Sequence, residues 1–122
     1  TADGNKLFVS SLGDDSDANG GFLSGDSGYA AALADNSATS VAGAVHVFKR
    51  SAGIWTAAAF IKAENSDGSD RFSTIMVTSN GNTLIVGAIK EQSNSTTIGA
   101  VQSDNSITEG AGAAYVIDVS GI

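Results

Sequence analysis

The sequence predicts an all-β fold built from a repeated antiparallel unit, and three observations carry that expectation. Fifteen Gly and no Pro, with abundant Ser, Thr and Asn beside 42% hydrophobic residues, suit short strands joined by polar turns and are too apolar for disorder. Short runs rich in β-branched residues stand directly behind Asp-Gly and Asn-Gly turn signals. The chain also repeats itself: DNSATSVAGAVHVF (35–48) returns 69 positions later as DNSITEGAGAAYVI (104–117), identical at eight of fourteen positions. TADGNKLFVSSL (1–12) returns 77 positions later as TSNGNTLIVGAI (78–89). The two spacings differ by eight, which puts a longer loop in the first copy, and insertions confined to a loop mark a repeated supersecondary unit. At 122 residues the chain is a single all-β segment, 1–122, with 1–63 an incomplete first repeat and 70–122 an incomplete second.

The first strand is expected near 6–10, after Asp3-Gly4-Asn5, and its second copy near 83–88, after Asn80-Gly81-Asn82. Both turns supply the positive φ angles of tight hairpins. The second copy has its hairpin partner in FSTIMVT, near 71–78, where Phe72, Thr74 and Met76 alternate with Ser73, Ile75 and Val77. The first copy has no such strand before it. Long polar loops follow, Gly13–Ala42 and Lys90–Ala111, and loops of that length are functional or loosely ordered. They lead into strands near 43–49 (GAVHVFK) and 112–118 (GAAYVID). Copy one then turns through Ser51-Ala52-Gly53 to Trp55 and a strand near 56–62; copy two reaches Ser120-Gly121-Ile122, short of a counterpart to Trp55. Essentially no helix is expected.

The unit therefore reads as four antiparallel strands, and four-stranded sheets repeated along a chain are the blades of a β-propeller. Asp70-Arg71-Phe72-Ser73, Gly87-Ala88-Ile89, the two Asp-Asn-Ser segments, Gly-Ala-Val-His-Val-Phe (43–48) and the Trp55 strand resemble the bacterial FG-GAP, integrin-α-like propeller repeats. The resemblance spans nearly the whole chain, departing at Ser73, Ile89 and Ser10-Ser11-Leu12. It implies about one and a half to two blades with long polar loops. It also implies calcium in the turn between a blade's first two strands, but the turn here, 78–82, carries no carboxylate.

The acidic loops are the candidate cation sites. Asp14, Asp15 and Asp17 place three carboxylates in four positions, and Asp67 and Asp70, near Glu64 and Asn65, form a second group. Such clusters stay solvated or take a cation, and calcium suits irregular loops because it accepts six to eight oxygens. His46, the one histidine, replaces Tyr115 of the other copy and reads as a strand residue; Trp55, Phe60, Phe72 and Tyr115 read as packing aromatics. Asn94-Ser95-Thr96 is a glycosylation pattern of the kind that an Asn/Ser/Thr-rich chain produces by accident.

A formal charge of −7 opposes nucleic-acid phosphates and anionic membranes, no Cys removes disulfide, zinc-thiolate and thiol chemistry, and no apolar run approaches the roughly 18 residues of a membrane helix. No nucleophile motif or paired-carboxylate spacing points to an enzyme. The expectation is a non-enzymatic extracellular or bacterial cell-surface scaffold that presents its loops to a protein or glycan ligand. The alternative is a self-assembling subunit of an extracellular fibre or surface layer. Either way, other copies or flanking blades are expected to bury the apolar residues around Phe8, Val47, Phe60 and Ile85, so that the 122 residues are not a self-sufficient monomer.

Overall fold

The computed structural model describes residues 1–34, 40–99 and 110–122, so the Asp-Asn-Ser segments at 35–37 and 104–106 lie outside the described residues. The elements run β1 (Lys6–Ser11), β2 (Gly21–Leu23), α1 (Tyr29–Ala32), β3 (Ala44–Ser51), β4 (Ile54–Ile61), β5 (Phe72–Val77), β6 (Thr83–Ala88) and β7 (Ala113–Asp118). They form two open antiparallel sheets, one of four strands in the order β1-β3-β4-β2 and one of three in the order β5-β6-β7. The six expected strands are present with ends shifted by no more than two residues.

Two elements fall inside what reads as the polar loop 13–42. Strand β2 pairs Phe22 with Phe60 on the free edge of β4, and α1 packs Ala32 against Ala44 and Phe60. Neither has a periodicity of its own to announce it. Both exist because Phe60 points away from the main core and needs cover.

The main core lies between the sheets. The four-stranded sheet contributes Val45, Val47, Ala59 and Ile61, and the three-stranded sheet contributes Phe72, Leu84, Val86 and Ala88, all buried, with Phe8, Ile75, Tyr115 and Ile117 packed at its margin. Lys6 from β1 crosses between the sheets, its Nζ donating to the carbonyls of Gly81 and Val119, both at 3.2 Å. A β-bulge at Ser73 decides the face of Phe72: that residue pairs with Ala88 and Thr74 with Gly87, so Phe72 turns into the core rather than outward with Met76.

The burial differs from the sequence expectation at two of four positions. Val47 and Phe60 are fully buried within this chain, one between the sheets and the other beneath α1 and β2, so no further protein is needed to cover them. Phe8 packs on the core margin, and Ile85 remains exposed.

Candidate functional site

The two copies share more than strands. In the first turn Asn5 N–H donates to Asp3 Oδ1 (3.1 Å) and Lys6 N–H to Thr1 Oγ1 (3.1 Å), with Gly4 at φ +69°. In the second, Asn82 N–H donates to Asn80 Oδ1 (3.2 Å) and Thr83 N–H to Thr78 Oγ1 (3.0 Å), with Gly81 at φ +69°. An Asx-type bond and a left-handed glycine set both strand starts.

The same holds where each long connection leaves its strand. Asp14 Oδ1 accepts from the N–H of Ser16 (3.2 Å), and the Asp14 carbonyl accepts from Gly43 N–H (3.1 Å). Glu91 Oε1 accepts from Ser93 N–H (2.8 Å), and the Glu91 carbonyl accepts from Gly112 N–H (3.0 Å). Each long connection is thus clamped at its root by an acid, a serine two residues on and the glycine before β3 or β7 that ends it. Asp14-x-Ser16 and Glu91-x-Ser93 align at the spacing of 77 already set by the strands before them, a signal available in the sequence but reached only by carrying that alignment past residue 89.

The countercharges differ. Lys62 Nζ lies 2.8 Å from Asp14 Oδ1, with its side chain fully buried. Burial alone would raise the Asp14 pKa, but the hydrogen bonds from Lys62 and Ser16 and the lysine's charge hold it below the usual carboxylate value. Buried Glu91 meets no ammonium among the described residues; Tyr115 Oη lies 3.2 Å from its Oε2 and 2.9 Å from Asn65 Oδ1, so one phenolic hydrogen is shared between two oxygens. Burial first, and then the charge and hydrogen bond of Glu91, push the Tyr115 phenol well above its ordinary pKa.

The segment 62–71, which crosses from one sheet to the other, gathers both clamps at one end of the molecule. Ser66 N–H donates to Asn19 Oδ1, Ser69 N–H to the Ser40 carbonyl, Arg71 N–H to the Val41 carbonyl, and Lys90 N–H to the Asp70 carbonyl. A shallow cleft of about 240 Å³ opens there, lined by Ser69, Arg71, Lys90, Gln92 and Gly110. Ser69 and Arg71 hold positive φ angles of 75° and 59°, rare for non-glycine residues. Among the described residues, buried Arg71 Nε has no hydrogen-bond partner. Nothing in the local pattern around Arg71 and Lys90 marks them as neighbours, because the pairing of β5 with β6 is what brings them together.

The sequence-predicted acidic residues fall in two places. Asp15 Oδ1 accepts from Val41 N–H (2.7 Å), Asp17 is exposed, and Asp70 is buried with Oδ2 accepting from Asp67 N–H (2.8 Å). Among the described residues no three His, Cys, Asp or Glu side chains converge as a metal group. His46 packs tilted against Phe60, with ring centroids 5.0 Å apart and planes at 55°, and the Arg50 guanidinium stands 6.0 Å from the Trp55 ring centre. No helix among the described residues is long and apolar enough to cross a membrane. Compared with protein-family models, with curated proteins and with solved structures, the chain matches none.

Proposed function

We propose that this chain is a non-enzymatic extracellular or cell-surface scaffold of the β-propeller repeat kind, binding a ligand through the polar connections at one end of its sheets. The observation that carries this reading is the cleft between the two clamps, where Arg71 and Lys90 come together and a guanidinium nitrogen is buried without a partner among the described residues. Rigid strands fix the roots of the connections and leave the connections themselves as the variable surface. The matching ligand group is a carboxylate or sulfate on a glycan or protein, which a guanidinium and an ammonium bind by charge-assisted hydrogen bonds.

Binding of acidic and neutral glycans and peptides to the wild-type chain and to a folded Arg71→Ala/Lys90→Ala variant tests it. Loss of both charge-assisted contacts should weaken an acidic ligand at least about tenfold and leave neutral ones unchanged. Undiminished binding of the acidic ligand by the variant would remove the cleft from the reading. Calcium at Asp14, Asp15 and Asp17, and at Asp67 and Asp70, is a separate proposal, decided by melting in millimolar calcium against chelator: a rise of several degrees supports it and coincident curves remove it. The apolar side chains on the outer sheet faces favour a second reading, the self-assembling subunit of a fibre or surface layer.

A further inference from the structure

The repeat relates cross-strand pairs as well as residues. Leu7↔Phe48, Phe8↔Val47 and Val9↔His46 of the first copy become Leu84↔Ile117, Ile85↔Val116 and Val86↔Tyr115 of the second. The two copies use opposite faces of this common unit. The four-stranded sheet turns Phe8 and Val47 to the shared core and leaves Leu7 and Val9 outside, 45% and 42% exposed. The three-stranded sheet turns Leu84 and Val86 to the core and leaves Ile85 and Val116 outside, 39% and 73% exposed.

The interface inside the chain is therefore heterologous: the Phe8/Val47 face of one unit lies on the Leu84/Val86 face of the next. The two faces left open are the same two faces again. Ile85 and Val116 stand where Phe8 and Val47 stand, and Leu7, Val9 and Phe48 stand where Leu84, Val86 and Ile117 stand. Neither looks like a solvated face. Met76 (70% exposed) joins Ile85 and Val116 in one cross-strand row, and among the described residues α1 and β2 cover the Phe60 end of the other sheet. An antiparallel sheet with one face in water ordinarily alternates to polar residues there.

The charges follow the same exchange. Inside the chain Lys6 of one unit reaches the Val119 carbonyl of the next. By the repeat, Thr83 and Asp118 replace Lys6 and Lys49, and Arg50 replaces Val119. On the open faces the acid is thus on one side and the cation on the other.

We infer that a second copy of this chain docks head to tail, its Leu7–Val9–Phe48 face on the Met76–Ile85–Val116 row and its Arg50 opposite Asp118. This rests on the assembly reading and specifies its interface; it is independent of ligand binding at the cleft. A heterologous contact of this kind leaves one face free at each end, so association continues into rings or filaments rather than stopping at a dimer.

Analytical ultracentrifugation of the full chain over a range of concentrations, with two surface variants, tests it. Wild type should form species beyond the dimer. Leu7→Asp and Val116→Asp should each weaken self-association at least about tenfold, because each buries an unpaired carboxylate. Mixed together they should form a one-to-one heterodimer and stop, since each retains the face the other lacks. A wild-type chain that stays monomeric overturns both the assembly reading and the interface. A wild-type chain that assembles, with both variants assembling equally well, leaves the assembly reading standing and overturns these faces. A mixture of the two variants that stays monomeric also overturns the pairing.

Discussion

At the root of the first long connection the carboxylate of Asp14 meets an ammonium, whereas at the equivalent point of the second the carboxylate of Glu91 meets a phenol. The backbone around the two acids is the same: a serine N–H on the carboxylate and a glycine N–H on the carbonyl. What the repeat holds constant is the set of bonds that only the backbone geometry can supply. What it varies is the distant partner, which each copy takes from whatever strand passes nearby: Lys62 follows β4, and Tyr115 lies in β7. The buried acid is part of the frame, and the two copies should fail under different conditions.

The largest expected difference lies at the paired glycines. A Cβ on Gly43 would stand 2.6 Å from the Phe72 carbonyl oxygen and 2.7 Å from its nitrogen, whereas for one on Gly112 the nearest atom among the described residues is the Ala88 carbonyl oxygen at 3.6 Å. Both glycines have positive φ. Gly112→Ala should therefore cost about 1–2 kcal/mol, the left-handed penalty alone. Gly43→Ala should cost well beyond that, about 3 kcal/mol or more, because β5 must move away from the core. Urea denaturation of the two variants measures the contrast, and equal losses would break it.

Next comes removal of the partners. Lys62→Met leaves the Asp14 carboxylate uncompensated; since Asp14 keeps 15% of its side chain exposed, the loss should be about 2–3 kcal/mol, below the range for a fully buried pair. Tyr115→Phe removes a hydrogen bond from buried Glu91 and should cost about 1–3 kcal/mol. Chemical denaturation at neutral pH reads both.

The smallest effects are in pH, and they have opposite directions. Asp14 has a depressed pKa in the fold, so its contribution is present above the ordinary carboxylate pKa of about 3.9 and is lost as pH falls below it. Tyr115 has a raised pKa, so its contribution is present below the ordinary phenol value of about 10 and is lost as pH rises past it, where the unfolded chain ionises and the fold resists. Lys62→Met should flatten only the acid limb of the stability profile, and Tyr115→Phe only the alkaline limb. A variant that flattened the opposite limb would assign the titration elsewhere.

How much of this was legible in the sequence follows the range of the forces involved. The six longer strands were visible because alternation and Asp-Gly or Asn-Gly turns are local. Strand β2 and helix α1 were not, since both are held by Phe60, more than twenty-five positions along the chain from either. The Asp14–Asp17 stretch could be read as an acidic cluster, but not the ammonium that answers Asp14 from 48 positions away. Likewise simple alternation puts Phe72 on the face of Met76, and only the bulge at Ser73 reverses it.

Amide hydrogen exchange on matched pairs decides whether one unit is built twice on the same bonds. Gly43 and Gly112 N–H donate to the carbonyls of Asp14 and Glu91, and Ser16 and Ser93 N–H to the acids' own carboxylates. The account predicts that both members of each pair are protected well beyond the exposed loop amides, and that Gly43 and Gly112 exchange through openings of comparable free energy. Protection at Gly43 and Ser16 with free exchange at Gly112 and Ser93 would contradict it.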